Sequence, residues 1–321
     1  MSIKNIGILT SGGDAPGMNA VIRSITRLAI ESGLRVWGIT RGFIGLRTAE
    51  MFEMNLRTVS DIINRGGTIL YSSRDNEFKT PQGLKSAVEV CKDAKLDAII
   101  VIGGNGSLKG AKSLSDEGIK CVFVPATIDN DIASTSYSIG FDTAMNTGVE
   151  MVDKLRDTAR SHEKCSVVEV MGRKCGDIAL NIGIAVGATT ILVPEIKYDF
   201  NEHVIKRIKY TQNLGRRHFI IIVAEGCEKS IEISKEIQLQ TGIQSRCTIL
   251  GHVQRGGTPT LRDRVMAGSM GCRAVEMLFK DGNKVISSRC DSIISYDIND
   301  AVNMRKIFNT DLYIEAMKIS I

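Results

Sequence analysis

Short, uninterrupted apolar runs recur along the whole chain and alternate with longer segments of helical periodicity. Such runs, apolar at every position, are typical of strands that are covered on both faces of a parallel sheet. Eight runs are evident, at 6–9, 36–39, 98–102, 121–124, 167–170, 191–193, 219–223 and 248–250. The pattern therefore predicts an α/β fold with mainly parallel sheets and helices on both faces of each sheet.

The chain length favours two sheets rather than one. The chain has 321 residues, which is more than a single hydrophobic core usually serves. A hydrophobic content of 43% is enough to fill two interiors. We therefore expect two doubly wound α/β domains, with the chain passing from the first to the second after Ser138.

Charge and composition exclude several classes of protein. The net charge of +5 is small and dispersed, so nucleic-acid and membrane partners are not expected, whereas anionic small molecules suit a modest positive bias. No stretch approaches the ~20 apolar residues of a membrane helix, and the amino terminus runs directly into a strand pattern, so we expect a cytoplasmic protein. The 8 cysteines form no Cys-x-x-Cys pair and are interpreted as core residues.

A cluster of acids follows the fourth apolar run, in the segment Pro125–Asp131. The carboxyl end of a strand in an open parallel sheet is where such folds bind substrates. On an extended backbone Asp129 and Asp131 would share one face, with Asn130 opposite, and could divide the roles of general base and metal or water holder. The alternative is a simple turn, because Asx side chains bond their own backbone.

Two glycine-rich segments also connect a strand pattern to a helix pattern. One spans 10–19 and contains Gly12 and Gly13, and the other spans 103–107. Glycines at such a junction let backbone N–H groups approach an anion at the amino end of a helix. Together the two segments could bind one polyphosphate, although either alone could be a tight turn.

Cationic side chains complete the set of candidate residues. Arg173 follows the run at 167–170, and Arg255 follows the run at 248–250, so both leave strand ends. Guanidinium groups bind phosphate through paired donors, which suits a phosphorylated sugar, whereas a single arginine elsewhere is more often solvated surface. The further candidate cations are Arg74, Arg156, Lys164 and Arg246.

Taken together, these segments resemble the bacterial ATP-dependent 6-phosphofructokinase family over essentially the whole chain. The resemblance is carried by ILTSGGDAPGMNA from Ile8, INRGGT from Ile63, PATIDND from Pro125, IGFDTA from Ile139, SVVEVMGR from Ser166 and LGHVQRGG from Leu250. It implies a homotetramer that uses ATP and Mg²⁺ to phosphorylate the 1-hydroxyl of fructose 6-phosphate. It also implies a larger nucleotide-binding domain, 1–138 plus 256–305, and a smaller sugar-phosphate-binding domain, 139–255 plus 306–321.

The resemblance assigns roles in catalysis and sugar binding. Asp129 would be the base, Arg173 would stabilise charge on the transferring phosphoryl group, and Asp131 would organise the metal site. Arg246 would reach the sugar phosphate from a neighbouring subunit. Lys164 stands where the family has an arginine that also reaches this phosphate across a subunit boundary. The residues implied in substrate binding are Thr127, Ile128, Asp129, Lys164, Met171, Gly172, Arg173, Glu225, Arg246, His252 and Arg255, and Thr127 is also counted as catalytic.

The nucleotide site follows from the same resemblance, and its residues are Gly13, Arg74, Asp75, Gly104, Asn105, Gly106 and Ser107. Pyrophosphate-dependent relatives carry an acid in place of Gly106 and a lysine in place of Ala126, so the small residues here favour ATP. Asn105 stands where the family has an aspartate that contacts Mg²⁺, which predicts weaker metal binding. Lys164 replaces an arginine, and Asp75 replaces an aromatic residue.

An allosteric site for ADP or phosphoenolpyruvate is also implied, and it departs further from the family. Thr189 occupies the position of a glutamate that helps to bind the effector's metal, so regulation is expected to be altered. The residues of this site are Arg23, Arg27, Arg156, Gly187, Thr189, Gly215, Arg216 and Arg217. Asn105 and Lys164 leave a second hypothesis open, in which the chain is a catalytically impaired regulatory or assembly subunit.

Overall fold

The computed structural model describes residues 3–280, 282–290 and 292–320. The chain forms two compact units. The first comprises Met1–Thr143 and Arg255–Lys306, and the second comprises Ala144–Gln254 and Ile307–Ile321. The first crossing therefore falls after Thr143, a few residues beyond the position expected from the sequence.

The described residues form helices and strands that alternate along most of the chain. The strands are β1 (Asn5–Ser11), β2 (Arg35–Ile39), β3 (Met51–Met54), β4 (Ala98–Gly103), β5 (Lys120–Pro125), β6 (Cys165–Val170), β7 (Thr190–Leu192), β8 (Phe219–Ala224), β9 (Ser245–Ile249), β10 (Lys284–Arg289) and β11 (Ser292–Asp297). The helices are α1 (Met18–Glu31), α2 (Phe43–Arg47), α3 (Pro81–Asp93), α4 (Asn105–Asp116), α5 (Phe141–Ser161), α6 (Asp177–Ala185), α7 (Lys206–Asn213), α8 (Ser230–Thr241), α9 (Leu261–Phe279), α10 (Ile298–Asn303) and α11 (Thr310–Ile319).

The first unit is built on one mixed sheet with the strand order β11-β10-β5-β4-β1-β2-β3. The central strands pair in parallel, and β3 and β11 add antiparallel edges. Every residue of β4 is buried, as expected for a strand covered on both faces. This order makes β1, β4 and β5 neighbours, so the loops that follow them leave the same edge of the sheet.

The second unit contains a smaller sheet with the order β7-β8-β6-β9, in which all strands run parallel. Its core includes Val167, Phe219 and Ile221 from the strands, together with Val204 and Ile237 from flanking helical segments. Burial of a large aliphatic or aromatic side chain contributes about 1.5–3 kcal/mol, so this core stabilises the unit. Together the two sheets confirm the predicted α/β class with mainly parallel strands.

Helix α1 shows why the intervening segments are helical. Val21, Ile25 and Ala29 recur at four-residue spacing and are buried, whereas Arg27 is exposed. The helix ends before Gly33, whose φ of +79° stops the helical conformation. No helix among the described residues is long and apolar enough to cross a membrane.

A buried carboxylate holds the amino end of α9 in the first unit. Asp263 is fully buried and accepts hydrogen bonds from the Tyr137 hydroxyl at 2.6 Å and from the Gly140 N–H at 2.8 Å. It also accepts from the backbone N–H and the hydroxyl of Thr143. One side chain therefore ties α9 to the segment that follows β5.

We expect Asp263→Ala to lower the free energy of unfolding by about 3 kcal/mol, because it leaves several buried donors without an acceptor. Urea unfolding monitored by circular dichroism measures this loss. Asp116→Ala is the matched control, since it removes an exposed carboxylate paired with Lys112, and we expect a change below about 0.5 kcal/mol. Equal losses in the two variants would contradict the structural role of Asp263.

Candidate active site

Three loops meet at the carboxyl edge of the first sheet, after β1, β4 and β5. The Ser107 hydroxyl at the start of α4 donates to the Ser11 carbonyl at 2.9 Å, which joins the first two loops. A Cβ placed on Gly103 would lie 2.4 Å from that same carbonyl oxygen, so only glycine permits this approach. A Cβ on Gly104 would lie 3.5 Å from the Cβ of Thr127, which brings in the third loop.

Gly13, Asp129 and Arg255 lie side by side in the first unit. A Cβ on Gly13 would lie 2.8 Å from Nη1 of Arg255, and Nη2 of Arg255 lies 3.9 Å from Oδ1 of Asp129. Asp129 is fully buried, whereas the Arg255 side chain keeps 17% exposure. The structure thus brings the predicted base, a predicted phosphate-binding cation and the first glycine loop together.

The acidic segment is a turn, which corrects the extended geometry considered for it. Asn130 has a φ of +48°, in the left-handed region, so Asp129 and Asp131 do not alternate along a strand. The Asn130 side-chain oxygen accepts from the Ser138 N–H at 3.0 Å, and the Ser138 hydroxyl donates to the Thr127 carbonyl at 2.6 Å. Thr127 and Ile128 are both buried in this turn.

Asp131 and Asn105 offer oxygen ligands for a hard cation. Oδ1 of Asp131 is buried and has no hydrogen-bond partner among the described residues. The Asn105 side-chain nitrogen donates to the Asp131 carbonyl at 3.0 Å, which joins the two residues. The residues that the structure describes include no group of three or more His, Cys, Asp or Glu able to hold a metal. A carboxylate oxygen and an amide oxygen are ligands that fit Mg²⁺, which is usually held by one or two protein carboxylates and completes its shell with phosphates and water.

The segment 72–75 lies against the first glycine loop. The Gly12 N–H donates to the Ser73 carbonyl at 3.2 Å, and the Ser72 hydroxyl donates to the Gly12 carbonyl at 2.7 Å. Arg74 is exposed beside these contacts. Asp75 accepts from Nε of Arg47 at 3.3 Å. Asp75 thus pairs with the end of α2, whereas Arg74 faces solvent.

Two small residues lie at the glycine loops, and one of them, Gly106, has open space beside it. A Cβ on Gly106 would meet no heavy atom within 4 Å, and Ala126 is fully buried.

Asp14 was not singled out from the sequence, yet it lies directly after the first glycine pair. Burial raises the pKa of the Asp14 carboxyl, while the Thr68 and Ala15 N–H groups and the Arg255 charge oppose that rise.

Arg173 lies in the turn between β6 and α6 of the second unit, with a φ of +54°. This left-handed conformation costs a non-glycine residue about 1–2 kcal/mol. Oε1 of Glu225 accepts from the N–H of Gly172 at 3.1 Å and from the N–H of Arg173, and these bonds offset the cost. Met171 is buried at the start of the turn. Arg173 and Glu225 line a cavity of about 880 Å³.

Lys164 and Arg246 lie at the other end of the second sheet. Lys164 precedes β6, and Arg246 is paired with Ser166 near the start of β9. Arg173 follows the far end of β6, and a strand of this length spans about 20 Å. Within one chain the structure therefore does not bring Lys164 and Arg246 to Arg173. His252 is exposed beyond the end of β9.

A cationic group in the second unit contains several predicted allosteric residues. Arg156 donates to the Val186 carbonyl, and Nη1 of Arg216 donates to the hydroxyl of buried Thr189 at 3.4 Å. Burial lowers the pKa of His218, and the charges of Arg156, Arg216 and Arg160 lower it further. The remaining predicted residues are Gly187 and Gly215, both with positive φ, Arg217, which pairs with Glu163, and Arg23 and Arg27 on α1 of the first unit.

Two buried or half-buried polar residues were missed by the sequence reasoning. His218 follows Arg216 and Arg217 directly and stands before β8, so a basic triplet before a strand was the available signal. Gln254 lies between His252 and Arg255 in the LGHVQRGG segment, yet its neutral side chain drew no interpretation. In the structure Gln254 is fully buried.

The phosphofructokinase family model matches residues 5–278. The chain is 51% identical over 321 residues to an ATP-dependent 6-phosphofructokinase of Clostridioides difficile, covering 99% of this chain and 100% of that protein. It is also 51% identical to ATP-dependent 6-phosphofructokinase 1 of Clostridium perfringens, with 97% and 98% covered. The chain belongs to the phosphofructokinase family.

Solved structures agree with this assignment. The phosphofructokinase of Saccharomyces cerevisiae matches with a TM-score of 0.88 and 32% identity over 99% of this chain. A phosphofructokinase of Pichia pastoris matches with a TM-score of 0.90 and 33% identity over 100% of this chain. The chain spans 48% and 37% of those longer yeast chains. A pyrophosphate-dependent phosphofructokinase of Marinobacter aquaeolei, 21% identical with a TM-score of 0.85, shares the fold.

The arrangement around His218 predicts proton-linked anion binding. A bound anion favours the protonated imidazole, so inorganic phosphate should raise the pKa of His218. Titration of the imidazole resonances by NMR, with and without phosphate, measures this change. In Arg216→Ala the pKa without phosphate should rise, because one repelling charge is gone, and the phosphate response should shrink. An unchanged His218 titration in saturating phosphate would contradict the prediction.

Proposed function

We propose that this chain catalyses the ATP-dependent phosphorylation of fructose 6-phosphate at the 1-hydroxyl, giving fructose 1,6-bisphosphate and ADP in cytoplasmic glycolysis. The observation that carries the proposal is the meeting of the glycine loops after β1 and β4 with the buried Asp129. A phosphate cradle beside a carboxylate suits transfer to a hydroxyl, because phosphoryl transfer depends on positioning and charge neutralisation. The names of the full-length bacterial relatives support the same reaction.

In the proposed reaction, the first unit binds the donor and supplies the base. Asp129 accepts the proton of the sugar 1-hydroxyl while the oxygen of that hydroxyl attacks the γ-phosphorus of ATP. The bond from the γ-phosphorus to ADP breaks, and ADP leaves. General-base assistance of this kind contributes about 10²- to 10⁴-fold. Backbone N–H groups around Gly13 and Gly104 bind phosphate oxygens, and Arg74 adds a positive charge from the adjacent segment. The space at Gly106 admits the rest of the nucleotide.

Asp131 and Asn105 would hold Mg²⁺, which supplies positive charge that neutralises the phosphates of ATP. Asp131 contributes a full charge through its buried oxygen. Asn105 contributes a neutral oxygen, because its amide nitrogen is already bonded to the Asp131 carbonyl. A neutral ligand attracts a hard cation less strongly than a carboxylate does, so the chain should need more Mg²⁺ than a relative with aspartate there.

The second unit is assigned to the sugar phosphate and to charge stabilisation. Arg173 neutralises the transferring phosphoryl group, and Met171 and Gly172 line the sugar pocket. Glu225 accepts hydrogen bonds from sugar hydroxyls with the carboxylate oxygen that the turn does not use. His252 of this unit is assigned to the 6-phosphate, and so is Arg255, which belongs to the first unit. Paired guanidinium donors suit a phosphate group.

We further propose a homotetramer, in which a neighbouring subunit supplies Lys164 and Arg246 to the 6-phosphate. The support is their position at the opposite end of the second sheet from Arg173. An anionic effector, ADP or phosphoenolpyruvate, would bind the cations around Arg156 and Arg216. Thr189 offers that effector a hydroxyl and no charge for an accompanying metal.

The purified chain should form fructose 1,6-bisphosphate from ATP and fructose 6-phosphate, with ATP preferred over pyrophosphate. Asp129→Asn should lower kcat by at least about 10²-fold, because it removes the base while preserving shape. Coupled assays with titrated Mg²⁺ and both donors measure these rates. Absence of product from an intact oligomer at saturating substrates and Mg²⁺ would overturn the proposed function and favour a regulatory subunit.

Mixed oligomers test the shared site. Lys164→Ala with Arg246→Ala in one chain, and Arg173→Ala in another, should each reduce activity strongly. A mixture exchanged into common oligomers should recover activity, because intact Arg173 on one chain meets intact Lys164 and Arg246 on the other. If the mixture only equals the average of its two parents, every chain supplies its own phosphate ligands.

A further inference from the structure

The turn that carries Arg173 is held by side chains from three different parts of the second unit. Its first N–H, on Met171, donates to Oε1 of Gln254 at 2.8 Å. The next two N–H groups share Oε1 of Glu225. Its last N–H, on Gly176, donates to Oε1 of Glu195 at 2.8 Å. The turn is thus fastened at its start, middle and end.

Gln254 makes the most deeply buried of these contacts. Its side chain is fully buried, and its Nε2 donates to the Ala144 carbonyl at 3.3 Å. Both polar ends of the amide are therefore used, one on the turn and one at α5. A Cβ on Gly148 would lie 3.3 Å from the same Nε2, so the surroundings leave little room for another orientation.

Close packing around three glycines also restricts the backbone conformation of the turn. A Cβ on Gly172 would lie 2.4 Å from the Cys175 carbonyl oxygen, inside the turn itself. A Cβ on Gly226 would lie 2.4 Å from the Arg173 carbonyl oxygen. A Cβ on Gly176 would lie 2.7 Å from Oε2 of Glu195. The backbone of the turn is thus enclosed, while the Arg173 side chain reaches the cavity.

We propose that Gln254 and Glu195 are positioning residues that fix the Arg173 guanidinium through the backbone of its turn. The proposal rests on the proposed function for the role of Arg173 in phosphoryl transfer. Charge stabilisation in a transition state is sensitive to placement, and a shift of ~1 Å can cost up to about 10²-fold in rate. Neither residue needs to touch a substrate for this effect.

Gln254→Met removes the acceptor while nearly preserving side-chain volume. We expect kcat to fall about tenfold or more, with the KM for ATP changed by less than about twofold. In an Arg173→Lys background the same substitution should cost less than about twofold, because the guanidinium that it positions is absent. Thr190→Val is the matched control, since it removes the hydrogen bond that the hydroxyl of buried Thr190 donates to the His203 carbonyl in the same unit.

Glu195 supplies a second test that does not disturb the core, because its side chain is exposed. Glu195→Ala should lower kcat severalfold, whereas Glu195→Gln retains an oxygen acceptor for Gly176 and should restore most of the rate. The same pair decides the matter if Gln254→Met does not fold. If Glu195 acts only through its negative charge, the Gln and Ala variants should instead be equally slow.

Hydrogen exchange across 171–176, measured on the same samples, separates this proposal from the proposed function. We expect exchange of the Met171 and Gly172 amides to accelerate about tenfold or more in Gln254→Met, and not in Thr190→Val. Unchanged exchange would overturn the proposal, whatever reaction the chain catalyses. An equal loss of kcat in the wild-type and Arg173→Lys backgrounds would also overturn it, because Gln254 would then act on general stability.

Discussion

Parallel pairing of β1, β4 and β5 is the constraint on which the first unit depends. Strands that run in the same direction deliver their following loops to one edge, so three segments far apart in sequence come within hydrogen-bond reach. The contact from Ser107 to the Ser11 carbonyl and the approach of Gly104 to Thr127 both follow from that pairing. Glycine is needed where two of these backbones nearly touch, as Gly103 does at the Ser11 carbonyl.

Much of this architecture could be predicted, because a strand covered on both faces must be apolar throughout. Each of the eight apolar runs overlaps a strand of the structure. The strands without such a run were missed for a physical reason. Both β3 and β11 are antiparallel edge strands that are partly exposed. The neighbouring β10 is largely buried, yet it includes Ser287 and Ser288 and therefore does not read as an apolar run.

The candidate site was less accessible to sequence reasoning, because function there depends on backbone conformation. An extended segment and a turn were both possible for the acidic cluster, and spacing alone could not decide between them. The left-handed Asn130 shows that it is a turn. Arg255 was interpreted only as a phosphate ligand, yet it also lies beside Asp129. The assigned roles of the individual residues stay predictions. Gln254 was overlooked because an uncharged amide inside a motif rich in glycine and cations suggests no chemistry until its partners are known.

The placement of Lys164 and Arg246 has a consequence for the behaviour of the protein in dilute solution. If two of the anchors for an anionic sugar come from a second molecule, an isolated chain possesses only part of its own recognition surface. Turnover would then depend on protein concentration as well as on substrate, and loss of assembly would act as inhibition without any inhibitor.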